Sequence, residues 1–151
     1  RQFKPLFAFY FGGDLPVYSP SIIYEGTPAP SRDRDLNGVI FTDIPWVLGD
    51  DNELRTRATE NLSGTRGQPG RLFAMGADAW HLSKRLPLLK QVESASISGQ
   101  TGVLTMTPEG SIHREQLWAQ FRNGAPELIP EPVTEEGEME GAQEEAPPLS
   151  E

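Results

Sequence analysis

The chain contains no cysteine among its 151 residues. That absence excludes disulfides, thiol nucleophiles and cysteine-based zinc or iron–sulfur sites, and it leaves the redox compartment open. No apolar run approaches the roughly 20 residues needed to cross a bilayer, and no stretch has the makeup of a signal peptide. A basic stripe is also lacking. The formal net charge is -9, but residues 127–151 hold nine Glu and no Lys or Arg; removing those nine from the 22 acidic residues leaves 13 against 13 basic ones in 1–126. The low pI therefore belongs to the tail, and a neutral body offers no footprint for phosphate backbones, which argues against a nucleic-acid partner. Of the metal-binding side chains, His81 and His113 have no HxxxH or HExxH partner, so the sequence supports no metal site. A GxSxG elbow or other nucleophile signature is missing too.

What is present fits one domain of ordinary size. In RQFKPLFAFYFGGD, Phe3, Phe7, Tyr10 and Phe11 fall at helical spacing and end at Gly12 and Gly13, a left-handed helix stop. With no N-cap before it, this helix suggests a chain that begins inside a domain. LPVYS and GVIFTDIPW then predict two short buried strands, parallel as in an α/β fold, with the Pro-rich GTPAPSRDRD as the loop between them. Asp51 to Leu62 predicts an amphipathic helix with Asp50 or Asp51 near its N-cap, followed by a loop over SGTRGQPG. RLFAMGADAWHLSKRL predicts the clearest helix, with Leu72, Met75, Ala79, Leu82 and Leu86 on one face and Phe73, Ala77 and Trp80 beside it. Pro69 precedes it and Pro87 breaks or kinks it. GVLTMT and SIHREQLWAQF flank PEG as a hairpin in which Pro108 presets the turn and Gly110 takes positive φ. Residues 127–151 carry too little to bury and read as a disordered acidic tail.

Three patterns invite a chemical reading. Asp33, Asp35, Asn37 and Gly38 stand in the order that opens an EF-hand loop, but position twelve is Ile44 rather than Glu, and Pro28 and Pro30 forbid a normal incoming helix. A solvated turn leading into a strand is the simpler reading. The glycines of GTRGQPG match neither GxxxxGK[ST] nor GxGxxG and read as a connector. Asp14, Asp43 and Asp78 could in principle serve as acid and base, although the first two have the context of turn formers. Trp46, Trp80 and Trp118 read as core or cleft-wall aromatics, with any exposed one a candidate partner anchor.

Four segments together resemble a known family. KPLFAFYFGGDLPVYSPSIIYEG, DLNGVIFTDIPWVL, RLFAMGADAWHLSKRLPLL and GQTGVLTMTPEGSIHREQLWAQFRNGAP, in this order and spacing, are similar to the C-terminal domain of the LppC/LpoA family. Its members are outer-membrane lipoproteins that activate class A penicillin-binding proteins. The resemblance covers residues 1–126 and implies an α/β, partial type I periplasmic-binding-protein-like fold: mainly one lobe plus a crossover helix and a β-hairpin, with 127–151 as a disordered acidic tail. On that template residues 1–62 lie mainly in the second lobe, the GADAW helix returns toward the first, and the hairpin crosses back. It further implies a non-enzymatic regulator of peptidoglycan synthesis, without cofactor, whose partner is a class A synthase. The expected location is the periplasm, tethered to the inner leaflet of the outer membrane through a lipid anchor on a preceding part of the protein. Oligomeric state is not implied. An alternative from the same fold is a solute-binding lobe holding a small molecule in the interlobe cleft, with Asp14, Tyr18, Ser19 and Ser21 as cleft candidates. Trp46 and Trp80 complete the set of cleft or partner-binding candidates, and no residue is assigned as catalytic, cofactor-binding or metal-ligating.

Overall fold

The computed structural model describes residues 15–131 of the chain. The predicted opening helix, Asp14 and all of the predicted tail after Glu131 lie outside the described residues. Strand β1 (Val17–Ser19) and strand β2 (Val39–Asp43) pair in parallel, Val17 facing Val39 and Ser19 facing Phe41, as the two apolar runs predict. Between them the Pro-rich segment is more ordered than a loop. Ser21–Ile23 forms one 3-10 turn, α1 spans Pro30–Asp33 with Pro30 at its first position, and a second 3-10 turn follows over Arg34–Leu36. Proline at the start of a helix removes an N–H that would have no partner there, which is why this segment can coil.

The principal sheet has the order β1-β2-β6-β7, with β6 (Leu117–Arg122) antiparallel to both β2 and β7 (Ala125–Ile129). Burial alternates along β2, so Val39, Phe41 and Asp43 turn inward while Ile40 and Thr42 stay half-buried. On the inward face Phe41 and Phe121 stack with centroids 5.0 Å apart, and the Tyr24 ring lies 6.0 Å from each. Leu36, Val39 and Ala119 complete this cluster. Each Phe is fully buried, so truncating either to Ala would cost about 3–5 kcal/mol.

The turn between β6 and β7 is a two-residue Asn-Gly link, with Asn123 at φ 51 and Gly124 at φ 76, the conformation that matches strand twist in a tight hairpin. β7 corrects the expected boundary of the tail, because Glu127, Leu128 and Ile129 continue a ladder with Gln120, Ala119 and Trp118. Backbone pairing to an existing strand edge orders residues whose side chains alone would not.

Helix α2 (Pro45–Leu48) follows β2 directly, and α3 (Glu53–Asn61) is capped by Asn52, whose side chain accepts from Arg55 N at 2.9 Å. Asn52, rather than Asp50 or Asp51, is thus the cap. Helix α4 runs from Gly67 to Gln91, longer at both ends than predicted. Pro69 sits in its first turn, where an N–H is dispensable, and Pro87 does not end it. The face of α4 also differs from expectation. Gly70, Ala74, Asp78 and Leu89 are buried, whereas Leu72, Met75 and Trp80 are 67%, 51% and 62% exposed. Small residues at four-residue spacing admit close approach: a Cβ on Gly70 would lie 2.3 Å from Thr65 O. Beyond α4, β3 (Ile97–Ser98), β4 (Val103–Met106) and β5 (Ile112–Glu115) make a small antiparallel sheet. The predicted second arm of the hairpin is therefore two strands, β5 in this sheet and β6 in the principal one.

Candidate functional site

The C-terminal end of β2 is the structural hub. Asp43 is fully buried and accepts from Ile44 N at 2.8 Å and from Arg71 Nε at 3.0 Å, with a second contact from Arg71 Nη2. Arg71 Nη2 also donates to Tyr24 O at 2.9 Å, so one guanidinium ties α4 to β2 and to the segment after β1. Its Nη1 is buried without a hydrogen-bond partner among the described residues. Burial, reinforced by the Asp33 and Asp43 carboxylates, raises the Tyr24 hydroxyl above its usual pKa of 10.0. Asp43 thus serves as a buried ion-pair anchor, an arrangement that occupies both of its oxygens.

Asp78 is likewise a structural acceptor. Its carboxylate takes Gln100 N and Thr101 N at 2.7 Å each and Thr101 Oγ1 at 2.6 Å, fastening the turn before β4 to α4. The same turn receives Trp46 N on Gln100 O at 2.9 Å and Asn52 Nδ2 on Gln100 Oε1 at 2.9 Å. The EF-hand-like stretch is put to similar use. Asp33 is buried rather than solvated, Asn37 Oδ1 accepts from Gly124 N at 2.8 Å, and Gly38 N donates to Phe121 O at 2.7 Å. Among the described residues, no group of three or more His, Cys, Asp or Glu could hold a metal ion.

Beside the hub lies a cleft of about 410 Å³, bounded by Gly26–Pro28, by Trp46 and Val47 of α2, by one side of α3 and by Thr65–Gly67. Trp46 is only 2% exposed and donates from Nε1 to Thr65 O at 3.0 Å, which pins the loop before α4 against α2. Its burial excludes a role as an exposed partner anchor; it belongs to the core and to the cleft floor. Around the rim stand Arg55, Thr56, Thr59, Glu60 and Arg66. Arg55 is engaged by Asp51 at 3.3 Å and by Gly49 O at 3.0 Å.

Of the sequence candidates among the described residues, Trp46 alone lines this cleft. Tyr18 is 54% exposed on β1 and meets Trp118 edge-on at 6.3 Å. Ser19 donates to Pro20 O at 3.2 Å, and Ser21 starts the 3-10 turn. Trp80 stands out from α4 with Lys84 Nζ 4.1 Å from its ring centroid. Glu60, Arg66 and Thr65 escaped the sequence reading, since they lie in a polar helix end and a glycine-rich connector whose convergence only the fold reveals.

Comparison with known proteins places these features in a lineage. Residues 1–124 match the family described as "LppC putative lipoprotein". The penicillin-binding protein activator LpoA of Serratia proteamaculans is 34% identical over 108 residues, covering 72% of this chain and 16% of that protein. The chain therefore spans less than a fifth of the curated relatives it matches. Among solved structures, the LpoA C-domain of Haemophilus influenzae, described as a regulator of PBP1A, superposes with a TM-score of 0.71 at 28% identity, covering 85% of this chain and 40% of that one. A Chromobacterium violaceum protein described as a "putative branched-chain amino acid ABC transporter" gives a TM-score of 0.54 at 28% identity over 72% of this chain and 35% of that one. The fold is thus α/β and of the periplasmic-binding-protein type, and with its sequence matched across residues 1–124 the chain belongs to the LppC family.

Proposed function

We propose that the chain is a segment of a non-enzymatic regulator of peptidoglycan synthesis that binds and activates a class A penicillin-binding protein. The observation that carries this reading is the family match over residues 1–124, whose relatives include penicillin-binding protein activators and a regulator of PBP1A. Burial of Asp43 and Asp78 in structural hydrogen bonds supports a scaffold over a hydrolase, because neither carboxylate is left to move a proton. The parent protein is a lipoprotein of the outer membrane, and this segment works in the periplasm.

Trp80 is the contact candidate. It is 62% exposed on α4, and large aromatic side chains anchor protein interfaces by filling partner pockets. Immobilised chain should capture the periplasmic part of a class A synthase, and Trp80→Ala should weaken capture at least tenfold. Equal capture by wild type and W80A would remove Trp80 from the interface, and no capture by either would remove the synthase as partner.

A further inference from the structure

We propose that the acidic residues 132–151 dock on the exposed row of α4 formed by Trp80, Lys84 and Leu88 with Arg85 beside it, so that the chain carries its own occupant for this face. Trp80, Lys84 and Leu88 stand four positions apart on α4 and therefore share one side of the helix. Trp80 is 62% and Leu88 49% exposed, and Lys84 Nζ lies 4.1 Å from the centre of the indole ring. The row thus joins apolar surface to positive charge. Asp78, the sole acid within α4, is buried against Thr101 and does not offset it.

Charge singles out this row from the other cationic positions. Arg32, Arg55, Arg57, Arg71 and Arg122 are each held by a carboxylate, and Lys90 shares a hollow with Glu93 and Glu109. Lys84 and Arg85 make no ion pair with any described residue, and they are adjacent to each other and to exposed apolar side chains. Residues 132–151 have the opposite makeup, with seven Glu and no Lys or Arg. Within them Glu138-Met139-Glu140 sets one apolar side chain between two carboxylates, the complement of an indole next to cations. A thioether also packs well on an aromatic ring.

Reach is sufficient. From Glu131 an extended chain covers up to about 29 Å to Met139 and about 50 Å to Glu145, against roughly 35 Å across a folded body of this size. Single surface ion pairs contribute little, so the contact depends on several acting together and on the tether, which supplies an effective concentration on the order of 1 mM. Docking would shield Trp80 from a partner. That consequence rests on the reading of Trp80 as the synthase contact, whereas the docking itself does not.

Because the chain has no cysteine, Gln143→Cys gives a single attachment point for a nitroxide, which broadens the NMR signals of protons near it. In the full isotope-labelled chain at about 50 µM, well below the effective concentration of the tether, the Trp80 indole and the Lys84, Arg85 and Leu88 amides should lose more than half their intensity. They should recover it in about 0.5 M salt, where charges are screened within a few ångströms. Lys84→Gln combined with Arg85→Gln should reduce the loss at Trp80 at least twofold. The proposal is overturned if these signals keep their intensity, or if they fade no more than the rest of the body. Equal loss when the nitroxide sits on a separate, unlabelled chain would assign the face to a second copy and overturn it too. So would phosphatidylglycerol vesicles that shift the Trp80 indole while the nitroxide leaves it untouched, since the face would then belong to an anionic lipid surface. No synthase is present in these samples, so failure here is distinct from failure of the proposed function.

Discussion

Replacing Asp78 with Ala would test how the fold is fastened. The carboxylate accepts from Gln100 N, Thr101 N and Thr101 Oγ1 at 2.6–2.7 Å, and the residue is 4% exposed. Hydrogen bonds to a charged acceptor contribute about 1.5–3 kcal/mol each, and a buried donor left without an acceptor costs a similar amount. Thr101 Oγ1 can rotate to another acceptor and Gln100 is only half-buried, so the loss counts as about two bonds, or roughly 3–6 kcal/mol. Asp78→Asn keeps one acceptor oxygen but turns an amide NH2 toward Thr101 N–H, for an expected cost of about 2 kcal/mol. Gly99→Ala approaches the same interaction from the other side, because its methyl would sit 2.6 Å from Asp78 Oδ2. Urea denaturation of the three variants, read at equal m, gives the free energies directly. The thermal midpoint of D78A should fall by roughly 10 °C. A D78A variant within about 0.5 kcal/mol of wild type, the range of ordinary surface changes, would refute the view that this carboxylate fastens the turn before β4 to α4.

Two further outcomes follow from the geometry. Gly124→Ala should lower stability by about 2–3 kcal/mol, since its Cβ would lie 2.2 Å from Pro30 O at φ +76, whereas Gly110→Ala, at φ +85 in open space, should cost only about 1 kcal/mol; equal losses in denaturant melts would show that the Pro30 contact is unimportant. Tyr24 is raised above its usual pKa of 10.0 by burial and by Asp33 and Asp43, so folding favours its neutral form. Its contribution is complete below pH 10 and is lost as pH climbs through the higher folded value. Stability measured from pH 9 to 11 should therefore fall less steeply in Tyr24→Phe than in wild type, and parallel curves would contradict this.

Much of the scaffold is legible in the sequence because local rules govern it. Val39 to Asp43 is an apolar run stopped by proline, and the PEG turn carries its own φ preferences, with Gly110 at φ +85 as expected. The Asn123-Gly124 turn is equally local, but β7 beyond it opens a Glu- and Pro-rich stretch whose composition masks a strand. Other features have no local signature. The stripe of Leu72, Met75 and Leu86 shows that α4 is amphipathic, but periodicity does not say which side meets the sheet; the fit of Gly70 under Thr65 and of Asp78 under Thr101 decides it. Asp43 and Arg71 are 28 positions apart, and neither spacing nor composition joins them. For the candidate site, Trp46 lines the cleft beyond the end of β2, where α3 and the connector before α4 converge, whereas Tyr18, Ser19 and Ser21 lie on β1 and the 3-10 turn that follows it. Glu60 and Arg66 look like ordinary solvated charges, and only the fold sets both on the rim of this cleft.

The central claim, that this chain acts on a class A penicillin-binding protein, is tested most directly by reconstituted peptidoglycan synthesis. A purified class A synthase is supplied with lipid-linked precursor, and the rate of peptide cross-linking is measured with and without the 151-residue chain. The account predicts a saturable rise in rate that W80A blunts while leaving the thermal midpoint of the chain unchanged. A rate unaltered at saturating chain, with no complex formed, would contradict it.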